Sequence, residues 1–323
     1  MKHYQCFLRR HSDGGRVLIM KISFIVIGVF GFLVFISFVI ACVGIEIQFG
    51  KRIEQKGPKM VIPDWIHQKE VEFVSGKNKL KGYIFWNAKD NKLSEKIIVL
   101  VHGYGVTYKD YEIEIEEFVK RKYSVFAYDM TGCGMSQGKK IGGFSQFLLD
   151  AQSAIKYVES MNLNMEIELV GHSTGAYAVA ALLNFDNLGV SKSIIISGFN
   201  HPSSYVSSCL QKTIKGLSYL VQVWIYIMGI VKYGEIAKYT GVDGINHFQG
   251  EILVMQNERD DMVTLKQSLY SNRSKIINRK VLFWLKNDAG HYPTRKKING
   301  KEIAEDATFE VIKNFLESMK LFL

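Results

Sequence analysis

The chain has 323 residues, 41 Lys and Arg against 31 Asp and Glu, and 47% hydrophobic side chains. That length is too great for a disulfide-stapled miniprotein and suits one large α/β domain or two smaller ones. The 20 Phe, 16 Tyr and 4 Trp exclude disorder, and only 4 Pro exclude Pro-rich spacers.

Residues 1–21 carry five basic side chains (Lys2, Arg9, Arg10, Arg16, Lys21) and one acid, Asp13. The next 24 residues, Ile22 to Ile45, hold no charge. As a helix they reach about 36 Å, enough to cross a hydrocarbon core of about 30 Å. The reading is a basic cytoplasmic leader over 1–21 and a single transmembrane anchor over 22–45. The basic excess before the span places everything after Ile45 outside the cytoplasm. A signal sequence is the alternative, because Val39-Ile40-Ala41-Cys42 resembles a bacterial lipobox in which Cys42 would carry lipid. The apolar run continues past Cys42, which favours the uncleaved anchor. Met20 offers an alternative start.

After Ile45 the chain has 36 basic and 30 acidic residues, leaving an excess of only +6. No basic-aromatic motif stands out, so no nucleic-acid partner is expected. The four cysteines (Cys6, Cys42, Cys133, Cys209) form no disulfide framework, and no Cys/His ligand spacing appears. Neither metal nor cofactor is expected.

Residues 46–323 alternate strand-like and helix-like stretches, the pattern of a mostly parallel sheet flanked by helices. Val71–Val74 and Leu80–Trp86 read as an antiparallel opening pair around Ser75-Gly76-Lys77-Asn78. Lys96–Val101 is almost wholly apolar, as expected of a strand buried on both faces. Helix character over Tyr111–Arg121 precedes a strand at Ser124–Tyr128, and an amphipathic helix over Phe144–Met161 precedes one at Glu166–Val170. Further strands are expected at Lys192–Ser197, Glu251–Gln256 and Lys280–Leu285, with a closing helix near Ala304–Met319. About fifty residues separate Ser197 from Glu251, far more than the usual connection, so a lid is expected over about 199–250. Within it Leu217–Val231 is uncharged. It reads either as a buried cap helix or as an apolar wall for an acyl chain or a bilayer-facing surface.

The strongest local signal is Gly171-His172-Ser173-Thr174-Gly175, set between a strand and the Ala-rich helix Tyr177–Leu183. This is GxSxG in its required strand–turn–helix context. Gly171 and Gly175 leave room for a turn too tight for side chains, which exposes the Ser173 hydroxyl. The helix start supplies a positive dipole end and a free N–H at Thr174 for an oxyanion. A second N–H must face Ser173 across the sheet edge, and His102-Gly103-Tyr104-Gly105, at the end of the most apolar strand, assigns it to Tyr104. Gly103 lets the chain turn over the strand ends, and His102 reads as a structural brace for the loop.

A hydroxyl is a poor nucleophile at neutral pH, so Ser173 needs a base, and the base an orienting acid. The acid follows the strand Glu251–Gln256 in Asn257-Glu258-Arg259-Asp260-Asp261-Met262-Val263. Asp260 is the choice, with Asp261 and Glu258 as alternatives. The base follows the last strand at Gly290-His291, His291 being the only His after residue 247. The order is then Ser, Asp, His, with separations of 87 and 31 residues.

With HGYG, DMTGCGMSQG, GHSTG, NERDDMV and AGH in order, the sequence resembles the α/β-hydrolase superfamily over about residues 70–320. Asp129–Ser136 matches that family's D-x-x-G-x-G-x-S loop. The monoacylglycerol-lipase-like and serine-aminopeptidase-like branch, with a helical lid before the acid strand, is the most similar. The resemblance implies an eight-stranded-type sheet with helices on both faces. One departure is Gln256-Asn257, where that branch commonly has His-Gly. Ser at the elbow argues against the haloalkane dehalogenases and epoxide hydrolases, which carry Asp there.

The expected activity is a membrane-anchored serine hydrolase acting on lipid-like or medium-chain carboxylic esters. A serine aminopeptidase or thioesterase of the same fold is the alternative, and a non-catalytic binding protein on this scaffold a further one. An aminopeptidase needs acids to hold a free amine, and the stretch from Gly198 to Gly250 offers only Glu235 and Asp243. The expected partners are a small-molecule or lipidic ester and the membrane.

Overall fold

The computed structural model describes residues 2–54, 60–161 and 163–317, without the side chains of residues 2–17 and 19. The chain opens with α1 (Lys2–Phe49), a single helix of 48 residues that runs unbroken from the basic leader through the apolar stretch. Its part from Met20 to Phe49 is long and apolar enough to cross a membrane by length and composition.

An antiparallel pair follows, β1 (Ile66–Ser75) and β2 (Asn78–Asn87). Both strands are longer than the sequence pattern suggests. The outer half of β1 is polar and held by charge across the strands, with Lys81 Nζ 2.6 Å from Glu70 and 3.1 Å from Glu72. Hydrophobic alternation therefore marks only its inner end.

The remaining order is β3 (Lys96–Val101), α2 (Glu112–Lys120), β4 (Ser124–Tyr128), α3 (Phe144–Ser160), β5 (Glu166–His172), α4 (Thr174–Leu182) and β6 (Val190–Ile196). Three helices then intervene, α5 (Pro202–Ile214), α6 (Leu217–Tyr233) and α7 (Gly241–His247), before β7 (Glu251–Arg259) and β8 (Val281–Ala289). A hairpin of β9 (Arg295–Ile298) and β10 (Lys301–Ala304) leads to α8 (Asp306–Glu317). Residues 318 and 319 of the expected closing helix lie outside the described residues, and residue 304 belongs to β10.

The hairpin carries no strand signal in the sequence, because its four-residue strands are short, charged and without clear alternation. Its signal was the turn: Asn299 and Gly300 have φ of 51° and 79°, as an Asn-Gly hairpin turn requires.

Eight strands form one sheet in the order β1-β2-β4-β3-β5-β6-β7-β8. The pairs from β4 to β8 are parallel, while β1–β2 and β2–β4 are antiparallel. Interior strands are apolar on both faces because both faces are covered. On one side Phe126, Tyr128 and Val99 pack with Phe147 of α3 and Tyr177 and Val179 of α4. On the other, Val125, Ile98 and Leu253 pack with Phe118 of α2 and Phe309 and Phe315 of α8.

The insertion between β6 and β7 is only partly buried. Tyr219, Val223, Tyr226, Ile227 and Val231 of α6 are exposed, while Ser218 and Val221 are covered. The buried-cap expectation therefore fails for the outer face of α6. This helix lies against α1 and α5 instead of dropping into the main core.

Candidate active site

Parallel strands deliver their C-terminal ends to one edge of the sheet, and the chain order reverses around β3, which is flanked by β4 and β5. That is where open α/β sheets hold ligands. Ser173 follows β5 there with φ 58° and ψ −120°, a strained conformation for a residue with a side chain. The surrounding glycines are required by space. A Cβ on Gly171 would lie 2.5 Å from Gly175 O, one on Gly175 would strike the carbonyls of Val101 and His102, and one on Gly103 would lie 3.2 Å from Ser173 Cβ.

Ser173, Thr174 and Tyr104 line one cavity of about 430 Å³. Among the described residues, neither the Thr174 nor the Tyr104 N–H is engaged by another acceptor. The first N–H groups of α4 have no partner within the helix, so they are available to an incoming oxygen.

His291 and Asp260 meet after β8 and β7. His291 Nδ1 lies 2.8 and 3.0 Å from the two Asp260 oxygens. Asp260 Oδ1 also accepts the N–H groups of Met262 (2.9 Å) and Val263 (3.0 Å). A carboxylate so placed accepts the Nδ1 proton, which leaves the Nε2 lone pair of His291 free. The alternatives Asp261 and Glu258 are exposed and make no bond to His291. A shift of register between Asn257 and Arg259 in the β7–β8 ladder turns Asp260 inward.

Among the described residues Ser173 Oγ has no hydrogen bond to His291. Hydrogen bonds between a nucleophile and its base are often long before substrate arrives.

The base loop is held by partners that the motif reading did not single out. The His291 carbonyl accepts from Ser197 Oγ (3.0 Å) and from His172 Nε2 (3.0 Å). Since a carbonyl only accepts, His172 carries its proton on Nε2, and Nδ1 must accept from Tyr111 Oη (2.8 Å). Tyr111 Oη in turn accepts the Gly103 N–H (2.9 Å). One chain of hydrogen bonds thus joins the loop of Tyr104, the turn of Ser173 and the loop of His291. Burial keeps His172 far below the usual histidine range, with the neighbouring His291 contributing.

His102 acts locally as a brace. Its Nδ1 donates to Gly103 O (2.7 Å) and its Nε2 accepts from Met130 N–H (3.1 Å), and burial pushes its pKa down to about 4. Asp129, opening the D-x-x-G-x-G-x-S loop, accepts from the Tyr108 and Met135 N–H groups. Burial raises its carboxyl to about 6.

The departure Gln256-Asn257 is built into the site. Gln256 Nε2 donates to Asp260 Oδ2 (3.1 Å) and Val263 O (3.0 Å), and Asn257 Nδ2 to Gly290 O (2.8 Å). The pair therefore holds the acid turn and the base loop together from beneath. Beyond His291, Arg295 stacks 4.0 Å over the Tyr292 ring and bonds Glu114 Oε1 (2.9 Å) and Oε2 (2.7 Å). This clamp pins the base loop to α2. Among the described residues no group of three or more His, Cys, Asp or Glu side chains is arranged to hold a metal ion.

The sequence profile described as serine aminopeptidase, S33, matches residues 93–265, more than half of the chain. The chain belongs to this family. It is a serine hydrolase of the α/β-hydrolase superfamily, with His291 lying beyond the matched stretch. No curated protein sequence matches it significantly.

Solved structures similar to this S33-family hydrolase include an esterase of Pyrococcus furiosus. It has 18% identity and a TM-score of 0.58, with 83% of this chain and 98% of that one covered. Est1E of Butyrivibrio proteoclasticus, bound to ferulic acid, has 15% identity and a TM-score of 0.57, with coverage of 76% and 97%. An acylaminoacyl peptidase of Pyrococcus horikoshii has 14% identity and a TM-score of 0.55, covering 79% of this chain and 41% of that one. At these identities the likeness is one of fold.

Proposed function

We propose that this S33-family member is a membrane-anchored esterase that cleaves lipid-like or medium-chain acyl esters through Ser173, His291 and Asp260. The observation that carries the reading is the cavity above Ser173. Its walls are predominantly aliphatic and aromatic, and its volume of about 430 Å³ is that of a ligand site.

In the proposed reaction His291 Nε2 takes the Ser173 proton as Oγ bonds to the ester carbonyl carbon. The negative oxygen is held by the Tyr104 and Thr174 N–H groups. Collapse breaks the carbon–oxygen bond of the ester, and the departing alcohol takes the proton from His291. Water then repeats the sequence on the acyl-enzyme, with Asp260 holding the imidazole in its working tautomer throughout.

Among the described residues no carboxylate lines the cavity to hold a free amine, which weighs against an aminopeptidase. Glu235 is paired with Lys238 at 2.6 Å, and Asp243 accepts from the Thr240 hydroxyl at 2.7 Å at the start of α7. Neither lines the cavity.

The location proposed is a single-pass anchor over 22–45, with residues 46–323 as one hydrolase domain outside the cytoplasm and a lid over about 199–250. The uncharged run continues past Cys42 to Ile45, which favours the retained anchor over lipidation at that cysteine. A panel of p-nitrophenyl esters of increasing chain length, run beside aminoacyl-nitroanilides, tests the substrate class. Faster turnover of medium-chain esters is expected, and faster turnover of the anilides would overturn the choice.

A further inference from the structure

We propose that the end of α1 is a working wall of the acyl site, so that the membrane helix itself sets which acyl chains the enzyme accepts. The proposal rests on the esterase and membrane-anchor reading above, and deepens it.

The cavity over Ser173 is lined from α1 by Ile40, Ala41, Gly44, Ile45, Ile47, Gln48 and Phe49. They fall in successive groups, 40–41, 44–45 and 47–49, one helical turn apart, so one side of the helix is turned to the site. The stripe is fastened to the catalytic face and does not hang from a linker. Tyr104 Oη donates to the Gln48 carbonyl at 2.5 Å, and the Phe49 ring meets the Tyr104 and Phe144 rings edge-on at 5.5 and 4.7 Å. Immediately after the helix, Arg52 donates to the carbonyls of Ser136 (3.0 Å), Gly138 (2.6 Å) and Gly134 (2.7 Å). One turn before the stripe, Ser37 Oγ accepts from Trp224 Nε1 of α6 at 3.1 Å, and Phe38 packs on the Trp224 ring.

The level of the cavity in the bilayer follows from the charges. Glu46 is the first charged residue after Lys21, and it pairs with Lys140 at 3.2 Å. Ile40 to Ile45 are therefore the last six uncharged residues of the span, about 9 Å of helix at the outer edge of the hydrocarbon. The helix α6, which packs on α1, also exposes apolar side chains (Tyr219, Val223, Val231). An acyl chain still resting in the outer leaflet thus meets Ser173 between α1 and α6, and the class of substrate is an ester of a bilayer-resident lipid.

Gly44 supplies the test. A Cβ there meets nothing within 4 Å, so a larger side chain has room to start toward the cavity that Gly44 lines. Gly31 lies on the same helix, is equally unobstructed and does not line the cavity. Leu is also a better helix former than Gly at both positions.

The full-length chain in lipid nanodiscs is assayed as wild type, Gly44→Leu and Gly31→Leu on p-nitrophenyl laurate and acetate. Complete labelling by a fluorophosphonate probe establishes a folded site in each. The laurate-to-acetate ratio of kcat/KM is expected to fall about tenfold or more in Gly44→Leu, as excluding a few methylenes requires, and to stay at the wild-type value in Gly31→Leu. An unchanged ratio in fully labelled Gly44→Leu overturns the proposal and leaves the esterase reading standing, as does an equal fall in both variants. A wild type that hydrolyses neither ester removes the esterase reading and the proposal with it.

Discussion

The site has two walls built on opposite principles. The one behind Ser173, at the strand ends, is polar, buried and closely bonded: Gly103, Tyr111, His172, Ser197 and His291 form one chain of hydrogen bonds, and Asp260 has four donors. The wall made by α1, α5 and α6 is apolar, partly exposed and fastened at a few points such as Trp224 to Ser37. Reaction chemistry needs groups held within tenths of an ångström, whereas accepting an acyl chain needs only volume and apolar surface. The contrast predicts that substitutions in the first wall change the rate or the stability of the site, and those in the second change the choice of substrate.

The largest expected break is Asp260→Asn. It keeps the shape but removes the acceptor that fixes the His291 tautomer, and kcat on any accepted ester is expected to fall on the order of 10⁴-fold. Steady-state kinetics on the shortest ester reads this without interference from the apolar wall.

Next comes Arg295→Ala, which leaves Glu114 buried without its partner. A loss of about 3–5 kcal/mol in unfolding free energy is expected by urea titration. Thr294 still donates to Glu114 at 2.7 Å, so the lower part of that range is the sharper expectation.

Tyr111→Phe removes the hydroxyl that links Gly103 to His172. The buried Gly103 N–H is left without an acceptor, at about 1–3 kcal/mol of stability. A drop in kcat is expected with little change in chain-length preference, since no part of the apolar wall is touched.

A further effect, of similar size, is one of pH and lies away from both walls. Burial on β5 holds the Glu168 carboxyl up at about 7, against an ordinary 4.5, despite Lys96 at 3.5 Å. Between those values the folded chain keeps a proton that the unfolded chain has lost. The stability this gives is present below pH 4.5 and lost as pH rises through 7. Glu168→Gln does not titrate, so the variant is expected to gain on the wild type by on the order of 1–3 kcal/mol between pH 5 and pH 8. Denaturant titrations at the two pH values read the difference.

The same division decides what the sequence made legible. Ser173, Asp260 and His291 each sit in a short motif after a strand, because the turn, the helix start and the glycine spacing all lie within a few residues. The strands buried on both faces were legible from their apolar runs, as in Lys96–Val101. Gln256 was visible only as a departure, since its bonds to Asp260 and Val263 depend on how the turn after β7 folds back over it. Tyr111 and Ser197 carry no motif, because each acts on a loop distant in sequence, and only the packing of β3, β5 and β6 brings them together. The role of Gly44 was hidden for a different reason: in an apolar span every residue looks alike, and which stripe faces the site is decided by how α1 docks on Tyr104 and Trp224.

Mass-spectrometric mapping of a fluorophosphonate adduct on the folded full-length chain tests the central assignment most directly. The expected result is one adduct, on the peptide holding Ser173, that is absent from Ser173→Ala. A folded wild type that takes no adduct at Ser173, or takes it at another residue, would contradict the assignment of Ser173 as the nucleophile.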